Sequence, residues 1–434
     1  MTDFEHILPL WRELRNSGAD YVLATVVAVQ GSSYRRPGAR MLLAPDGRRA
    51  GTVSGGCLEA EVAKKAWWLT ENGPVVERYS TLEEDGDLPY GSGCGGVLFI
   101  LLERSATARP LLEALHTAWS GRITLAIATV LEGPRIGSRR FASPLTRDLV
   151  LPLLDEDRAQ GNLALLALQA LEERTSRDTA VDVHGVRTRV WVDYRSARPG
   201  LWIFGAGDDA KPLHKLAREL GWFVAIADSR SHLVTAARFP AADLVIPLQI
   251  SELPASKYAE RQSLDRALKV QDHEALKGHD FSRAVEHAKM SRALAPEGSS
   301  RQKVDEPSAP EQLDIHPGDA AVLATHSYEQ DTHILAFLLA CAPQQRPAYI
   351  GILGPQRRTC EALAEAARLL NLVPTTKLVE QWLEDVHGPT GLDLGADTPA
   401  SIALSILAEI QKSLNAATAL PLKQVRATKP VTAG

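Results

Sequence analysis

Short apolar runs, separated by polar segments rich in glycine, predict the elements of the first hundred residues. Apolar positions at helical spacing predict helices, unbroken apolar runs predict buried strands, and the Asp46-Gly47 pair predicts a hairpin turn. The predicted elements are helix 4–16, strand 21–29, strand 40–44, helix 58–70 and strand 97–102. Strands at 123–130 and 190–192 and a helix near 163–173 extend this unit to residue 198.

At residue 201 the pattern changes to a repeated order of apolar strand, glycine-containing turn and helix. This order is typical of a doubly wound parallel sheet. The predicted strands are 201–204, 223–227, 244–246, 320–324 and 349–353, and the last helix is 399–414. We therefore predict an α/β protein with an α+β domain at 1–198, a Rossmann-like domain at 199–418 and a frayed tail at 419–434.

A long connection at 251–317 separates the third and fourth predicted strands of the parallel sheet. A doubly wound sheet normally needs only a short crossover at that point. The connection contains an amphipathic helix with Phe281 and Leu294 on its apolar face, followed by a polar stretch whose composition predicts flexibility. It is interpreted as an insert in the second domain.

Composition and charge then narrow the class of protein. The 434 residues are 45% hydrophobic, which excludes disorder for most of the length, and the net charge of −5 argues against a nucleic-acid partner. The longest apolar run, 334–342, is far shorter than the roughly 20 residues of a membrane span, so no membrane partner is expected. The N-terminus does not read as a signal peptide, and none of the four cysteines falls in a CxxC pair. These features predict a cytosolic protein with reduced thiols, in which Cys341 and Cys360 are structural.

A dinucleotide-type fingerprint opens the second domain. Gly205, Gly207 and Ala210 follow a strand and begin a helix, and Asp228 ends the next strand. In a Rossmann fold the first glycine makes the tight turn, the second lets a pyrophosphate approach the backbone, and the acidic residue bonds the ribose. The spacing therefore predicts the fold and makes NAD(P) a candidate ligand.

Two acidic residues argue against that ligand. Asp208 and Asp209 lie where the pyrophosphate would sit, and two unit charges 4 Å apart repel by about 4 kcal/mol at an effective dielectric constant of 20. An aspartate there also caps its own helix and occupies the N–H groups that would bind phosphate. A Rossmann sheet without NAD(P) is the competing interpretation.

Two cysteines stand beside pairs of glycines. Gly55 and Gly56 precede Cys57 at the start of a predicted helix, where free N–H groups and the helix dipole favour the thiolate that ligates metals or carries sulfur. Glycines also let a flat ligand approach the backbone. Cys94 has the same composition around it, before a strand. Packing of small residues is the alternative explanation for both cysteines.

Several of these motifs, in this order along the chain, resemble the xanthine dehydrogenase accessory proteins of the XdhC/CoxI family. The N-terminal ones are GSSYRRPGARMLL, GRRAGTVSGGCLEAEV and GCGGVLFILLE, and the C-terminal ones are WIFGAGDDAKPLHKLARELGWFVAIADSR, ATHSYEQDTHIL, YIGILGPQRR and GPTGLDLGADTPASIALSILAEI. The resemblance implies a chaperone that binds molybdenum cofactor, protects it while a cysteine desulfurase replaces an oxo by a sulfido ligand, and helps insert it into an apo molybdenum hydroxylase.

The resemblance also suggests residue roles. Cys57 would be the soft metal ligand or sulfur-handling thiol, and Arg36 and Arg40 would hold the cofactor's phosphate, since guanidinium pairs with phosphate in a bidentate way. His326, in the family's Thr-His position, and Arg357 would contribute at the carboxyl edge of the parallel sheet. A solvated loop charge, a hydrogen-bonding turn histidine and an ordinary helix-start arginine are the respective alternatives.

The sequence differs from typical members of the family in two respects, and two other functions remain as alternatives. Typical members have a histidine where this chain has Asp208, and they lack the long insert. An NAD(P)-dependent oxidoreductase using the Rossmann crevice is the main alternative function, and a thiol-dependent transferase acting through Cys57 is a third. A homodimer is left open.

Overall fold

The structure, a computed structural model, describes residues 2–56, 58–80, 96–145, 158–183, 185–249 and 313–427. The chain divides after Arg198 into two compact units, each with its own hydrophobic cores. In the described part of the chain, no helix combines the length and the apolar character needed to span a membrane.

The first unit is built on two antiparallel sheets. Its elements are α1 (Thr2–Ser17), β1 (Val22–Gly31), β2 (Arg40–Leu43), β3 (Arg49–Gly51), α2 (Glu59–Leu69), β4 (Val75–Ser80), β5 (Gly96–Arg104), α3 (Ser105–Ser120), β6 (Leu125–Val130), β7 (Arg139–Ala142), α4 (Arg158–Glu173), β8 (Arg177–Val183) and β9 (Val186–Arg195). The larger sheet has the strand order β3-β2-β1-β5-β4, and the smaller one has the order β7-β6-β9-β8.

The larger sheet is buried on both faces, which explains why β1 is an unbroken apolar run. Leu23 packs in one core with residues of α1 and α3, whereas Val22 and Ala24 pack in another with residues of α2. The predicted hairpin is confirmed, because β2 and β3 pair antiparallel around Asp46-Gly47.

The hydrophobic pattern did not predict two strands of the smaller sheet, β7 and β8, nor did it predict α3 and β4, which belong to the layers of the larger sheet. Apolar residues of α4, including Leu163 and Ala167, cover one face of β6 and β9. Two buried ion pairs join this sheet to the larger one: Arg40 with Asp193 at 2.8 Å, and Arg139 with Glu103 at 2.6 Å.

The second unit carries one sheet of six parallel strands. Its elements are β10 (Gly200–Phe204), α5 (Ala210–Glu219), β11 (Phe223–Asp228), β12 (Leu244–Pro247), β13 (Ala320–Leu323), α6 (Tyr328–Ala340), β14 (Tyr349–Ile352), α7 (Gln356–Leu369), α8 (Thr376–Asp385), β15 (Val386–His387), α9 (Pro399–Leu414) and α10 (Leu422–Ala427). The strand order β12-β11-β10-β13-β14-β15 is that of a Rossmann fold, so the predicted fold class is confirmed.

Three details of the second unit differ from the expectations. The sheet has a sixth strand, β15, which is only two residues long. Leu313 and Ile315, expected at the end of the insert, are buried in the core of the sheet. Part of the predicted frayed tail forms the short helix α10. Residues 251–312 of the predicted insert lie outside the described residues.

Candidate functional site

Three segments that carry the N-terminal motifs meet at one end of the larger sheet. Gly31, the last residue of β1, pairs with Gly96, the first residue of β5. A Cβ atom on Gly96 would lie 2.1 Å from the carbonyl oxygen of Ser32, and one on Gly55 would lie 2.6 Å from Cδ1 of Tyr34. Only glycine permits these approaches. We call residues 31–34, 54–56 and Gly96 the glycine cluster.

A buried carboxylate fixes the loop that precedes α2. The Glu59 side chain accepts hydrogen bonds from the backbone N–H groups of residues 53–56 at 2.9–3.1 Å. The hydroxyl of Ser54 donates to the same carboxylate at 2.6 Å, and the hydroxyl of Thr52 also donates to it. Burial opposes the charge, but these hydrogen bonds lower the pKa of Glu59 to about 2. The loop is therefore a nest of N–H groups filled by the protein's own anion.

The position of Glu59 changes the argument for the neighbouring thiol. The N–H groups before α2 were expected to be free to stabilise a thiolate, whereas those of residues 53–56 donate to Glu59. Cys57 and Cys94 themselves lie outside the described residues. The role of each therefore remains a prediction that rests on the sequence.

The two arginines of the predicted phosphate site are in different environments. Arg36 is exposed on the loop that also carries Tyr34. Arg40 is buried, pairs with Asp193 and donates to the carbonyl oxygen of Gly38 at 3.1 Å. Arg195 donates to the same carbonyl oxygen at 2.6 Å. The guanidinium of Arg40 therefore braces the loop, and Arg36 alone of the pair is placed to meet a phosphate.

In the second unit, the glycine turn lies at the carboxyl end of the parallel sheet. A Cβ atom on Gly205 would lie 2.4 Å from the carbonyl oxygen of Ala324, so glycine is required where β10 and β13 diverge. His326 is exposed beside Gly207, with Nε2 3.4 Å from the position of a Cβ on that glycine. Three of the predicted residues, Gly205, Gly207 and His326, therefore lie at the crevice of the Rossmann fold.

Asp228 does not offer free oxygens to a ribose. Its carboxylate accepts from the backbone N–H of Ala206 at 2.6 Å and from the guanidinium of Arg230 at 2.7 and 2.9 Å. Burial raises the cost of its charge, but Arg230 and the backbone donors hold the pKa of Asp228 below its ordinary value. The residue predicted to bind a ribose thus supports the turn.

The two aspartates after the glycine turn also differ from the expectation. Asp209 is the N-cap of α5, but its side chain makes no capping hydrogen bond. Asp208 instead pairs with Lys211 at 2.7 Å and with Arg238 at 3.3 Å, so its charge is partly compensated. Charge repulsion at the crevice is accordingly weaker than the sequence suggested.

Arg357 and Arg358, at the carboxyl edge of the sheet, pair with different carboxylates. Arg357 is 89% exposed at its side chain and pairs with Glu361 on its own helix. Arg358 donates to Asp331 at 2.6 Å, and Thr325 donates to the same carboxylate at 2.5 Å. Burial nevertheless raises the pKa of Asp331.

Sequence reasoning missed Glu59, Tyr34 and Arg195 as residues of the first of these regions. Only Glu59 had a recognisable signal, an acidic side chain in the first helical turn three residues after a glycine. Within the residues that the structure describes, no group of three or more His, Cys, Asp or Glu side chains is placed to hold a metal ion.

Comparison with known proteins identifies the family. The model of the XdhC Rossmann domain matches residues 201–410, and the model of the XdhC and CoxI family matches residues 14–80. Together the two matches cover the first two N-terminal motifs and all of the C-terminal ones. The chain belongs to the XdhC and CoxI family, which confirms the resemblance seen in the sequence.

Individual relatives agree with this assignment. A Bacillus subtilis (strain 168) protein, named as a probable xanthine dehydrogenase subunit, is 28% identical over 396 residues, which span 90% of this chain and 92% of the relative. PaoD of Escherichia coli (strain K12), named a molybdenum cofactor insertion chaperone, is 34% identical over 123 residues, 26% of this chain and 36% of PaoD. A crystal structure described as a xanthine dehydrogenase from Bacillus halodurans is 23% identical, with a TM-score of 0.59 over 100% of this chain and 98% of that one. At that identity the likeness shows the fold alone.

Proposed function

We propose that this protein binds molybdenum cofactor and assists its insertion into an apo molybdenum hydroxylase such as xanthine dehydrogenase. The observation that carries the proposal is the glycine cluster, in which three motif-bearing segments meet and Gly56 is exposed at their junction. The name of PaoD supports the choice of cargo, and the name of the Bacillus subtilis relative supports the choice of enzyme.

The residues divide the task by chemistry. Cys57, which directly follows the loop held by Glu59, supplies a soft sulfur ligand suited to molybdenum. Arg36 supplies an exposed guanidinium for the cofactor's phosphate. Gly56, at positive φ and exposed, brings no side chain between the loop and the pterin. The protein acts by binding and release, with no turnover of its own, and a cysteine desulfurase sulfurates the cofactor while it is bound.

Replacing Cys57 tests the proposal. Protein purified from a host that makes molybdenum cofactor should retain phosphorylated pterin and molybdenum, and Cys57→Ala should retain at least about tenfold less, because a metal–thiolate bond is lost. Pterin fluorescence after denaturation and oxidation, together with metal analysis, measures both components. Cys360→Ala, which alters a partly exposed cysteine on α7, is the matched control and should leave retention unchanged.

If wild type and Cys57→Ala retained equal amounts of pterin and molybdenum, the Cys57 thiol would not be a ligand of the cofactor. Absence of pterin from the wild-type protein, purified alongside a molybdenum hydroxylase that does acquire its cofactor, would contradict the function itself.

The structure does not favour the alternative of an NAD(P)-dependent oxidoreductase. Asp228, the residue that would bond a ribose, is already occupied by Ala206 and Arg230. We expect calorimetric titration of NADH and NADPH to show no binding at about millimolar concentration, where a Kd of about 1 mM corresponds to about −4.1 kcal/mol. Micromolar binding of either nucleotide would revive this alternative.

A further inference from the structure

Tyr34 has a large aromatic side chain that is exposed to solvent although its ring lies against the backbone of Gly55. The residue is 75% exposed, and its ring contacts Gly55, where even one extra carbon would lie 2.6 Å from Cδ1 and 3.1 Å from Cε1. Gly55 also has a φ of +100°, which disfavours any other residue there. One side of the ring is thus supported by the loop before α2, while most of the ring remains open to solvent.

The surroundings of the ring suit a flat ligand that bears a negative group. Next to the supported edge, a Cβ atom on Gly56 would meet no atom of the described residues within 4 Å, and Gly56 itself is exposed. Arg36, two residues after Tyr34, is exposed. The N–H groups of residues 53–56 are taken by Glu59, so a phosphate on the ligand has to find its counter-charge elsewhere, and Arg36 is an exposed cation of the loop that carries Tyr34.

We infer that Tyr34 is a stacking residue for the pterin ring, and that Gly55 is glycine in order to seat it. Aromatic faces attract planar heterocycles through dispersion and offset stacking. Arg36 then takes the phosphate while the ring lies on Tyr34. This inference rests on the proposed function and specifies the binding surface within it.

Titration of the full-length protein with the oxidised, phosphorylated pterin derived from molybdenum cofactor tests the stacking. Anisotropy of the pterin fluorescence gives affinity, and quenching of that fluorescence reports contact with an aromatic ring. Tyr34→Leu should weaken binding about tenfold and abolish most of the quenching, whereas Tyr34→Phe should bind within about twofold of wild type. Trp68→Leu, at another aromatic residue that is 63% exposed, is the matched control and should change neither readout.

The same pterin without its phosphate separates stacking from charge. The loss caused by Tyr34→Leu should persist with this probe, whereas the loss caused by Arg36→Met should be seen only with the phosphorylated probe. Wild-type affinity in Tyr34→Leu, or equal weakening in Tyr34→Phe and Tyr34→Leu, would overturn the stacking. In either case, continued retention of intact cofactor by the wild-type protein and its loss in Cys57→Ala would leave the proposed function standing.

Discussion

Glu59→Gln is expected to loosen the loop before α2 and to remove about 3 kcal/mol of stability from the first unit at neutral pH. The carboxylate accepts from the backbone N–H groups of residues 53–56 and from two hydroxyls, and only 5% of the residue is exposed. An amide in its place has one acceptor oxygen and brings two donors toward groups that are themselves donors. Several buried N–H groups would then lack partners.

The pH dependence of this contribution follows from the lowered pKa. Because the pKa of Glu59 falls from 4.5 to about 2 on folding, the carboxylate stabilises the folded state fully above pH 4.5 and ceases to do so as the pH falls toward 2. The difference in stability between wild type and Glu59→Gln should therefore shrink over that interval. Urea unfolding at a series of pH values, followed by circular dichroism through the transition that the substitution shifts, measures this difference.

A second acidic residue in the same helical turn provides the control. Glu61 pairs with Lys65 at 2.6 Å on α2, and the side chains of Glu61 and Lys65 are 13% and 41% exposed. Glu61→Gln should cost no more than about 1 kcal/mol. If Glu59→Gln were as mild as this control, or if its effect were constant down to pH 2, the carboxylate would not be holding the loop.

Cofactor retention connects this result to function. A loop that has lost Glu59 no longer presents Gly55 as the seat of Tyr34, nor holds the residues that lead into Cys57. Retained pterin should fall in Glu59→Gln even at temperatures where α2 is still folded. Normal retention in a demonstrably loosened loop would show that the ligand itself orders the loop.

The parallel sheet was predictable because its strands are buried on both faces. Such strands are unbroken apolar runs, and the sequence places β10, β11 and α9 within a residue or so of their observed bounds. β15 was missed because two residues carry no periodicity. β8 was missed because it is an edge strand with largely exposed side chains, in which charged residues interrupt the apolar pattern.

The candidate site was predictable to the extent that glycines and cysteines mark it. Glycine motifs identified the three segments of the glycine cluster, since close backbone approach requires that residue. The pairing of Arg40 was not predictable, because its partner, Asp193, is 153 positions away and on a sheet whose topology the sequence did not predict. Long-range charge pairing is a property of the fold, and a charged residue in a loop motif does not reveal it.

That buried pair leads to the second large effect, a loss of about 3–5 kcal/mol in Asp193→Asn. The side chains of Arg40 and Asp193 are 6% and 3% exposed, and Arg195 also pairs with Asp193 at 2.9 Å. Burial alone would raise the pKa of Asp193, but Arg195 and Arg40 hold it below its ordinary value, so the group is charged. Neutralising it leaves two guanidinium groups facing each other with little access to water.

The expected damage extends to the loop of the candidate site. Arg40 and Arg195 both donate to the carbonyl oxygen of Gly38, so their displacement would release the segment that carries Tyr34 and Arg36. Urea unfolding should show the stability loss, and retained pterin should fall with it. The control is Asp178→Asn, which removes an exposed pair with Arg189 on the same sheet and should cost less than about 1 kcal/mol.

The salt dependence of the two variants separates burial from simple charge. Salt should reduce the effect of Asp178→Asn, because exposed pairs are screened, and should leave the effect of Asp193→Asn nearly constant. A small or strongly salt-dependent loss in Asp193→Asn would mean that water reaches this pair. The smaller sheet would then contribute little to the stability of the first unit. A large and constant loss would instead show that the smaller sheet holds the loop that carries Tyr34 and Arg36.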